Sequence, residues 1–244
     1  NVIAFGSKDP VWIDALQKGQ DLHSVCAELV YGAQWNESAE DSCNFLLKRG
    51  KCNCPKHKTL RTNVKTINFG LAYGMGPHKL SNTLNISIKD AEDLIDKYFK
   101  AFPKIGGFLN MLGMYGKKFG YIKTFPPYSR RRWFSNWYPK IHTDRGAAFE
   151  LGSIERASKN TPIQGASADM TKLALILMRN YIKVADVPVK LVMTVHDQID
   201  SICTIEYAPK WVDKMTELME SAAIQIVTNG LLKADTNISE SWEK

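Results

Sequence analysis

Apolar positions along the chain recur mainly at helical spacing. Trp12, Ile13 and Leu16 predict a helix over Pro10–Lys18, and a second runs from Asp21, its N-cap, to Tyr31, with Gly32 as its stop. From Gln34 to Thr59 the periodicity is lost in a polar, cysteine-bearing segment. It returns in RTNVKTINFGLAYG, Arg61 to Gly74, where Leu60, Val64, Ile67 and Leu71 form one buried helical face. Ser87 caps a helix through Ala91, Leu94, Ile95 and Tyr98 that stops before Pro103, and another follows from Ile105 to Lys118. Short strands are expected around Tyr121 to Phe125. Gly146 to Lys159 reads as a helix that Pro162 interrupts, resuming from Ala166 to Val184 with Leu173, Ile176, Leu177 and Tyr181 inward. Val189 to Val195 and Ile199 to Ile205 are β-rich runs flanking His196, Asp197 and Gln198, which is the pattern of a hairpin with charge at its tip. A last helix, Pro209 to Asn229, is closed by Gly230. Helices around a few hairpin-paired strands, without a βαβ rhythm or an internal repeat, make an α+β fold.

Composition narrows the class. At 244 residues the chain can bury a large core, and its net charge of +7 favours a polyanionic partner. The distribution is sharper than the sum: no Asp or Glu occurs from Ser42 to Lys89, while Lys48, Arg49, Lys51, Lys56, Lys58, Arg61, Lys65, Lys79 and Lys89 accumulate there. A second basic block, Lys117 to Arg145, interleaves Arg130, Arg131 and Arg132 with Tyr128, Trp133, Phe134, Trp137 and Tyr138. That mixture suits phosphate contact with base stacking, or else a solvated basic face over buried rings. No run of 18 apolar residues exists to span a membrane, and five irregularly spaced cysteines point to a reducing compartment.

The stripe Arg61, Lys65, Phe69 and Tyr73, at intervals of four beside the buried face, is the most specific chemical signal. A triphosphate needs fixed cations about a turn apart, and Arg with Lys supplies a forked donor and a point charge. An aromatic one turn further on can pack on the sugar or base. Cys43, Cys52, Cys54 and His57 form C-x8-C-x-C-x2-H, which contains the ligand types of a structural Zn2+ site but no standard finger spacing; ordinary thiols in a basic loop are the alternative.

R-x3-K-x3-F-G-x2-Y-G resembles the nucleotide-binding helix of the family A DNA polymerases. DLH, Asp21 to His23, resembles that family's D-I-H element. ERASKNTPIQGASAD, Glu155 to Asp169, resembles its R-x3-N-x-P-x-Q-G-x-A-A-D element. VHDQ, Val195 to Gln198, is similar to its V-H-D-E hairpin, and the closing SESWEK to its C-terminal end. The five elements occur in the family's order.

The resemblance implies a polymerase palm from residues 1–20 and 150–244, with the hairpin at 189–205. Between them lies a helical fingers subdomain, 21–149, carrying the basic insert 34–59. It implies template-directed transfer of a nucleotide from a dNTP to a primer 3′-hydroxyl. Arg61, Lys65 and His23 would hold phosphates, Lys65 would protonate pyrophosphate, Phe69 would pack on the nucleotide and Tyr73 would shape the templating pocket. Arg156, Asn160 and Gln164 would face the primer-template minor groove, Arg130 and Arg131 the DNA backbone. Asp197 would hold Mg2+ of a two-metal site, with His196 near the primer terminus.

Two departures stand out. The family's last acid is Gln198 here, an amide that brings no charge to Mg2+. The family's other essential Asp lies in a strand that aligns just before Asn1, so a segment or partner polypeptide carrying that Asp, a thumb and an exonuclease is expected, and the chain alone is expected not to extend a primer. The expected location is the cytoplasm of a bacterial or phage-infected cell. A catalytically inactive DNA-binding subunit and a single-subunit RNA polymerase are the rival readings, though Phe69-Gly70 and the Gln164 element fit the DNA enzymes better.

Overall fold

The computed structural model describes residues 1–37, 43–44, 54–144, 146–230 and 232–241. Side-chain caps start several helices. After α1 (Val2–Ser7), α2 (Pro10–Gln17) begins at Asp9, whose carboxylate accepts from the N–H groups of Val11 and Trp12. α3 (Leu22–Tyr31) is capped by Asp21, as expected, and ends at Gly32. α4 (Ala33–Glu37) occupies the start of the 34–59 insert, and α5 (Pro55–Ala72), which begins within its end, opens with Pro at a position where its missing N–H costs nothing. α6 (Pro77–Leu84) and α7 (Ile88–Ala101) follow, the latter capped by Ser87. α8 (Pro103–Phe119) stops at Gly120 in the left-handed region, φ +72°.

α3 is the hub of this part, packed against α2, α4, α5 and α7. Trp12, Val64, Ile67, Tyr98 and Phe102 are buried around it, so the apolar face read from Leu60 to Leu71 does point inward. α8 then meets the next long helix through glycines. A Cβ at Gly113 would lie 2.8 Å from Glu155 Cγ, and one at Gly116 only 1.7 Å from Ser158 Oγ. Glu155 accepts from the ammonium groups of Lys117 and Lys159, both at 2.7 Å, which fastens the same face.

β1 (Tyr121–Lys123) pairs with β2 (Arg131–Trp133), a strand inside the basic block that alternation did not disclose. α9 (Ala148–Ala185) is one continuous helix of 38 residues with Pro162 inside it, so the expected interruption is corrected. An internal Pro removes one N–H donor and crowds the carbonyl four residues back, at a cost of about 3 kcal/mol. Packing on both sides of Pro162 offsets it: Ile154 is buried with Ile141 and Ala147, and Ala174 and Met178 are buried with Val189, Ile199 and Trp211.

β3 (Val189–Val195) and β4 (Gln198–Cys203) form the expected antiparallel hairpin, with Val189 facing Cys203, Val195 facing Gln198 and an irregularity between Leu191 and Met193. α10 (Ala208–Ile224) covers it and stops short of Asn229. The chain tightens there, the Ile226 N–H turning to the Ala223 carbonyl, which buries Ile226 and Val227.

The described residues fall into two compact units, one drawn from Asn1, Ile3–Ile122 and Arg131–Thr161, the other from Val2, Lys123–Arg130 and Pro162–Lys244. The fold is α+β. No described helix is long and apolar enough to cross a membrane.

The glycine contacts predict opposite effects of one substitution at two places on α8. Gly116→Ala is expected to destabilise by about 1–3 kcal/mol through overpacking against Ser158. At Gly107 a Cβ would meet nothing within 4 Å, so Gly107→Ala is expected to stabilise by about 0.5–1 kcal/mol. Denaturant titration of the two variants checks the sign; a Gly116→Ala variant as stable as the parent or more so would mean that α8 and α9 are not in this close contact.

Candidate functional site

α5 presents the stripe that the sequence singled out. Lys65 is exposed, as are Phe69 (49%) and Tyr73 (43%), while Val64 and Ile67 on the adjacent face are fully buried. Arg61 differs from Lys65 in its surroundings. Its Nε and Nη2 donate to the two carboxylate oxygens of Asp21, at 2.6 and 2.7 Å, in a fork-to-fork ion pair that is largely shielded from water.

Asp21 thus does more than the cap assigned to it. It accepts from the Ser24 N–H at 3.1 Å and the Ser24 hydroxyl at 2.5 Å, and it ties α3 to α5. Burial alone would raise its carboxyl, but hydrogen bonds from Arg61 and Ser24, with the Arg61 charge, hold it down to about 2. Two residues on, His23 Nδ1 accepts from the Asn68 side-chain amide at 3.0 Å, and its ring lies 5.9 Å from that of Phe69. Burial pushes the His23 imidazole below its ordinary range; Asp21 opposes this, and Arg61 and Lys65 add to it. A neutral ring with Nδ1 engaged keeps its proton on Nε2, a donor suited to a phosphate oxygen. Asn68 was not singled out in the sequence. Its one signal is its place on α5 directly before Phe69.

The YG that ends the motif also has a structural reason. Gly74 sits at φ +72°, and a Cβ there would lie 2.7 Å from Arg156 Cγ and 3.2 Å from Arg156 Cα. The end of α5 therefore rests on α9 at the first residue of the Arg156, Asn160, Gln164 row. These three recur every four residues on α9; Arg156 and Gln164 are exposed, and Asn160 carries a buried Oδ1 with no hydrogen-bond partner among the described residues.

The arginine block is divided among three tasks. Arg130 Nη2 donates to the buried Asp169 at 2.6 Å, and the Arg130 N–H donates to Thr124 Oγ1. Gly165 makes room for this loop, since a Cβ there would lie 2.4 Å from Thr124 Cγ2. Arg132 donates to Thr161. Arg131 stacks over Tyr121 and Trp133, 5.2 and 5.9 Å from the ring centroids, in an exposed aromatic cluster.

His196 and Asp197 form the two-residue tip of the β3–β4 hairpin, both exposed, with His196 at φ +56°. A side chain held in the left-handed region costs on the order of 1 kcal/mol, so a glycine would suit the turn better than this histidine. Gln198 Nε2 donates to Asp200 Oδ1 at 2.8 Å, and Asp200 Oδ2 is buried without a partner among the described residues. Asp197 offers a hard oxygen donor fit for Mg2+, which one or two carboxylates with substrate phosphates can hold. Cys43, Cys54 and His57 converge in the interior, whereas Cys52 lies outside the described residues.

A family model described as DNA polymerase family A matches residues 1–244. The chain is 28% identical over 241 residues to the thermostable DNA polymerase I of Thermus aquaticus, covering 99% of this chain and 25% of that protein. It is 31% identical over 243 residues to DNA polymerase I of Lactococcus lactis, covering 99% and 24%. It thus spans about a quarter of the length of the curated relatives it matches. Among solved structures, the POL domain of Pol1 from M. smegmatis, in complex with a DNA primer-template and dNTP, is similar with a TM-score of 0.72 and 28% sequence identity, over 91% of this chain and 34% of that one.

The Asp21–Arg61 pair predicts a pH signature. The carboxyl sits at about 2 in the fold against an ordinary 3.8. Because the folded value is the lower one, the unfolded chain binds more protons between the two, and stability rises with pH through that window. Asp21→Asn keeps a capping side chain but loses the charge. It is expected to lower the unfolding free energy by roughly 2 kcal/mol at pH 7 and by progressively less as pH falls from about 4 towards 2. Urea titrations across that range check it, and a deficit that does not change with pH would show that the pair is not its source.

Proposed function

The chain belongs to DNA polymerase family A, and from that premise we propose that it carries the nucleotide-holding and DNA-contacting part of an enzyme that joins a dNTP to a primer 3′-hydroxyl under template direction. The observation that supports this most is the surface of α5 and α3. There an exposed ammonium, a neutral imidazole held by an amide and two exposed rings lie on elements locked together by the Asp21–Arg61 pair.

Lys65 takes the phosphates as a point charge and passes a proton to the departing pyrophosphate oxygen. His23 donates from Nε2 to the same group. Arg61 adds its charge to the field there while its Nε and Nη2 stay on Asp21. Phe69 covers the nucleotide, and Tyr73, held beside Gly74, borders the templating base. Arg156, Asn160 and Gln164 line the primer-template; the buried Oδ1 of Asn160 is an acceptor already desolvated for such a contact. Arg131 and its rings are the better backbone contact of the arginine block, because Arg130 is engaged by Asp169.

Bound Mg2+ would supply Lewis-acid activation of the hydroxyl and charge neutralisation at the phosphates. Asp197 is the ligand this chain contributes, and His196 stands beside it for the primer terminus. The two-metal chemistry needs further anionic ligation; Asp169 is paired with Arg130, and Asp200 has one oxygen bonded to Gln198 and the other buried, so the second carboxylate is assigned to a polypeptide segment outside these 244 residues. In these terms residues 21–149 are fingers, and 1–20 with 150–244 are palm. The place of action is the cytoplasm of a bacterial or phage-infected cell. A second reading, a DNA-binding subunit without catalysis, is favoured by one observation: Gln198 turns its amide to Asp200 and offers no charge at the tip.

Three measurements test this. Fluorescence titration of the chain with dNTP and Mg2+ should show binding that Lys65→Ala weakens by about 10- to 100-fold, the size of a charge-assisted contact. No dNTP binding alongside tight primer-template binding would leave the non-catalytic reading in its place. Primer extension by the 244-residue chain alone is expected to be undetectable, and any extension would overturn the assignment of the second carboxylate elsewhere. Preference for rNTP over dNTP would overturn the DNA-synthesis reading.

A further inference from the structure

The start of α5 lies inside a cluster of soft ligands that the polymerase reading does not use. Cys54 is the N-cap residue of α5, and His57 is its third helical residue. Cys43 joins them from the insert. All three are buried, at 0 or 1% exposure, and their ligand atoms lie within 4.8 Å of one another. Cys43 Sγ stands 3.5 Å from His57 Nδ1. With zinc–sulfur bonds of about 2.3 Å and zinc–nitrogen bonds of about 2.0–2.1 Å, tetrahedral geometry places a thiolate and an imidazole nitrogen about 3.6 Å apart.

The other side of the imidazole supports the same assignment. His57 Nε2 lies 2.6 Å from the Trp35 carbonyl, and the ring is stacked on the Trp35 indole at 3.8 Å and 3°. Nε2–H donating to a backbone carbonyl leaves the Nδ1 lone pair facing the sulfurs, which is how a ligating histidine is commonly oriented by its outer partner. Cys54 is fixed at the start of an 18-residue helix, and no acid occurs from Ser42 to Lys89 to compete with the sulfurs and the imidazole. Two sulfurs and an imidazole, without a carboxylate, select a borderline-soft ion over Mg2+ or Ca2+.

We propose that Cys43 Sγ, Cys54 Sγ and His57 Nδ1 hold a structural Zn2+ ion, with the fourth position filled by water or a further side chain. The ion ties Cys43 to the first turn of α5, where His57 also meets Trp35 of α4, and so steadies the helix that presents Arg61, Lys65, Phe69 and Tyr73. The site is independent of whether the chain polymerises DNA. Its competitor is a thiol of Cys43 donating to Nδ1 with no metal.

Metal analysis and cobalt substitution of the full 244-residue chain decide between them. The chain should purify with about one equivalent of zinc. Cys43→Ser, Cys54→Ser and His57→Ala should each lose it, and Cys203→Ser should keep it. Should those variants fail to fold, the wild-type protein still answers: Co2+ exchanged into it should show thiolate-to-metal charge transfer in the near ultraviolet and the intense visible bands of a tetrahedral site. Chelation should lower the melting temperature of the wild type. Zinc below about a tenth of an equivalent, or a cobalt spectrum without thiolate bands, overturns the proposal.

Discussion

The arrangement of α3 and α5 depends on one carboxylate. Asp21 caps α3 through Ser24, accepts both arms of the Arg61 fork, and stands two residues from His23. With both partners largely shielded, removing either one would strand a charge in a poorly solvated place, a loss that commonly exceeds what the intact pair contributes. The pairing is therefore held firmly. Asn68, seven residues along α5, makes the second tie by donating to His23. A cation, a neutral imidazole and a phenyl ring come to share one surface because two hydrogen-bonded connections hold the same two helices.

Glycine governs how the motif-bearing elements approach one another within each unit. Gly74 admits Arg156, Gly116 admits Ser158, and Gly165 admits Thr124, each at a distance where any Cβ would collide. These contacts set how closely α5 and α8 lie on the part of α9 before Pro162, and how closely the Thr124–Arg130 loop lies on the part after it. The row Arg156, Asn160, Gln164 is consequently carried on a helix fixed by close glycine contacts and by the ion pairs of Lys117 and Lys159 with Glu155.

The cations are divided between structure and surface. Arg61 is committed to Asp21, Arg130 to Asp169, and Lys117 with Lys159 to Glu155. Lys65 makes no ion pair among the described residues, and Arg131 lies against rings. A net charge of +7 thus describes the field around the chain but not which groups can meet a phosphate.

The elements were largely legible. Leu60, Val64, Ile67 and Leu71 gave α5 its inward face, Asp21 and Ser87 marked helix starts, and the β-rich runs around His196 and Asp197 marked a hairpin, because caps, turns and hydrophobic periodicity are local properties. Pro162 and the end of α10 misled the same reasoning, since buried contacts on either side outweighed a local breaker and a tightened turn replaced the last helical residues. The motifs also carried the family by themselves, through the order of residue types along the chain. Which of those residues are engaged was decided only by tertiary structure: Arg61 with Asp21 forty residues away, Arg130 with Asp169 thirty-nine away, His57 with Trp35 and Cys43. Such pairings are set by how helices pack, and spacing within one helix carries no record of the neighbour that packing brings against it.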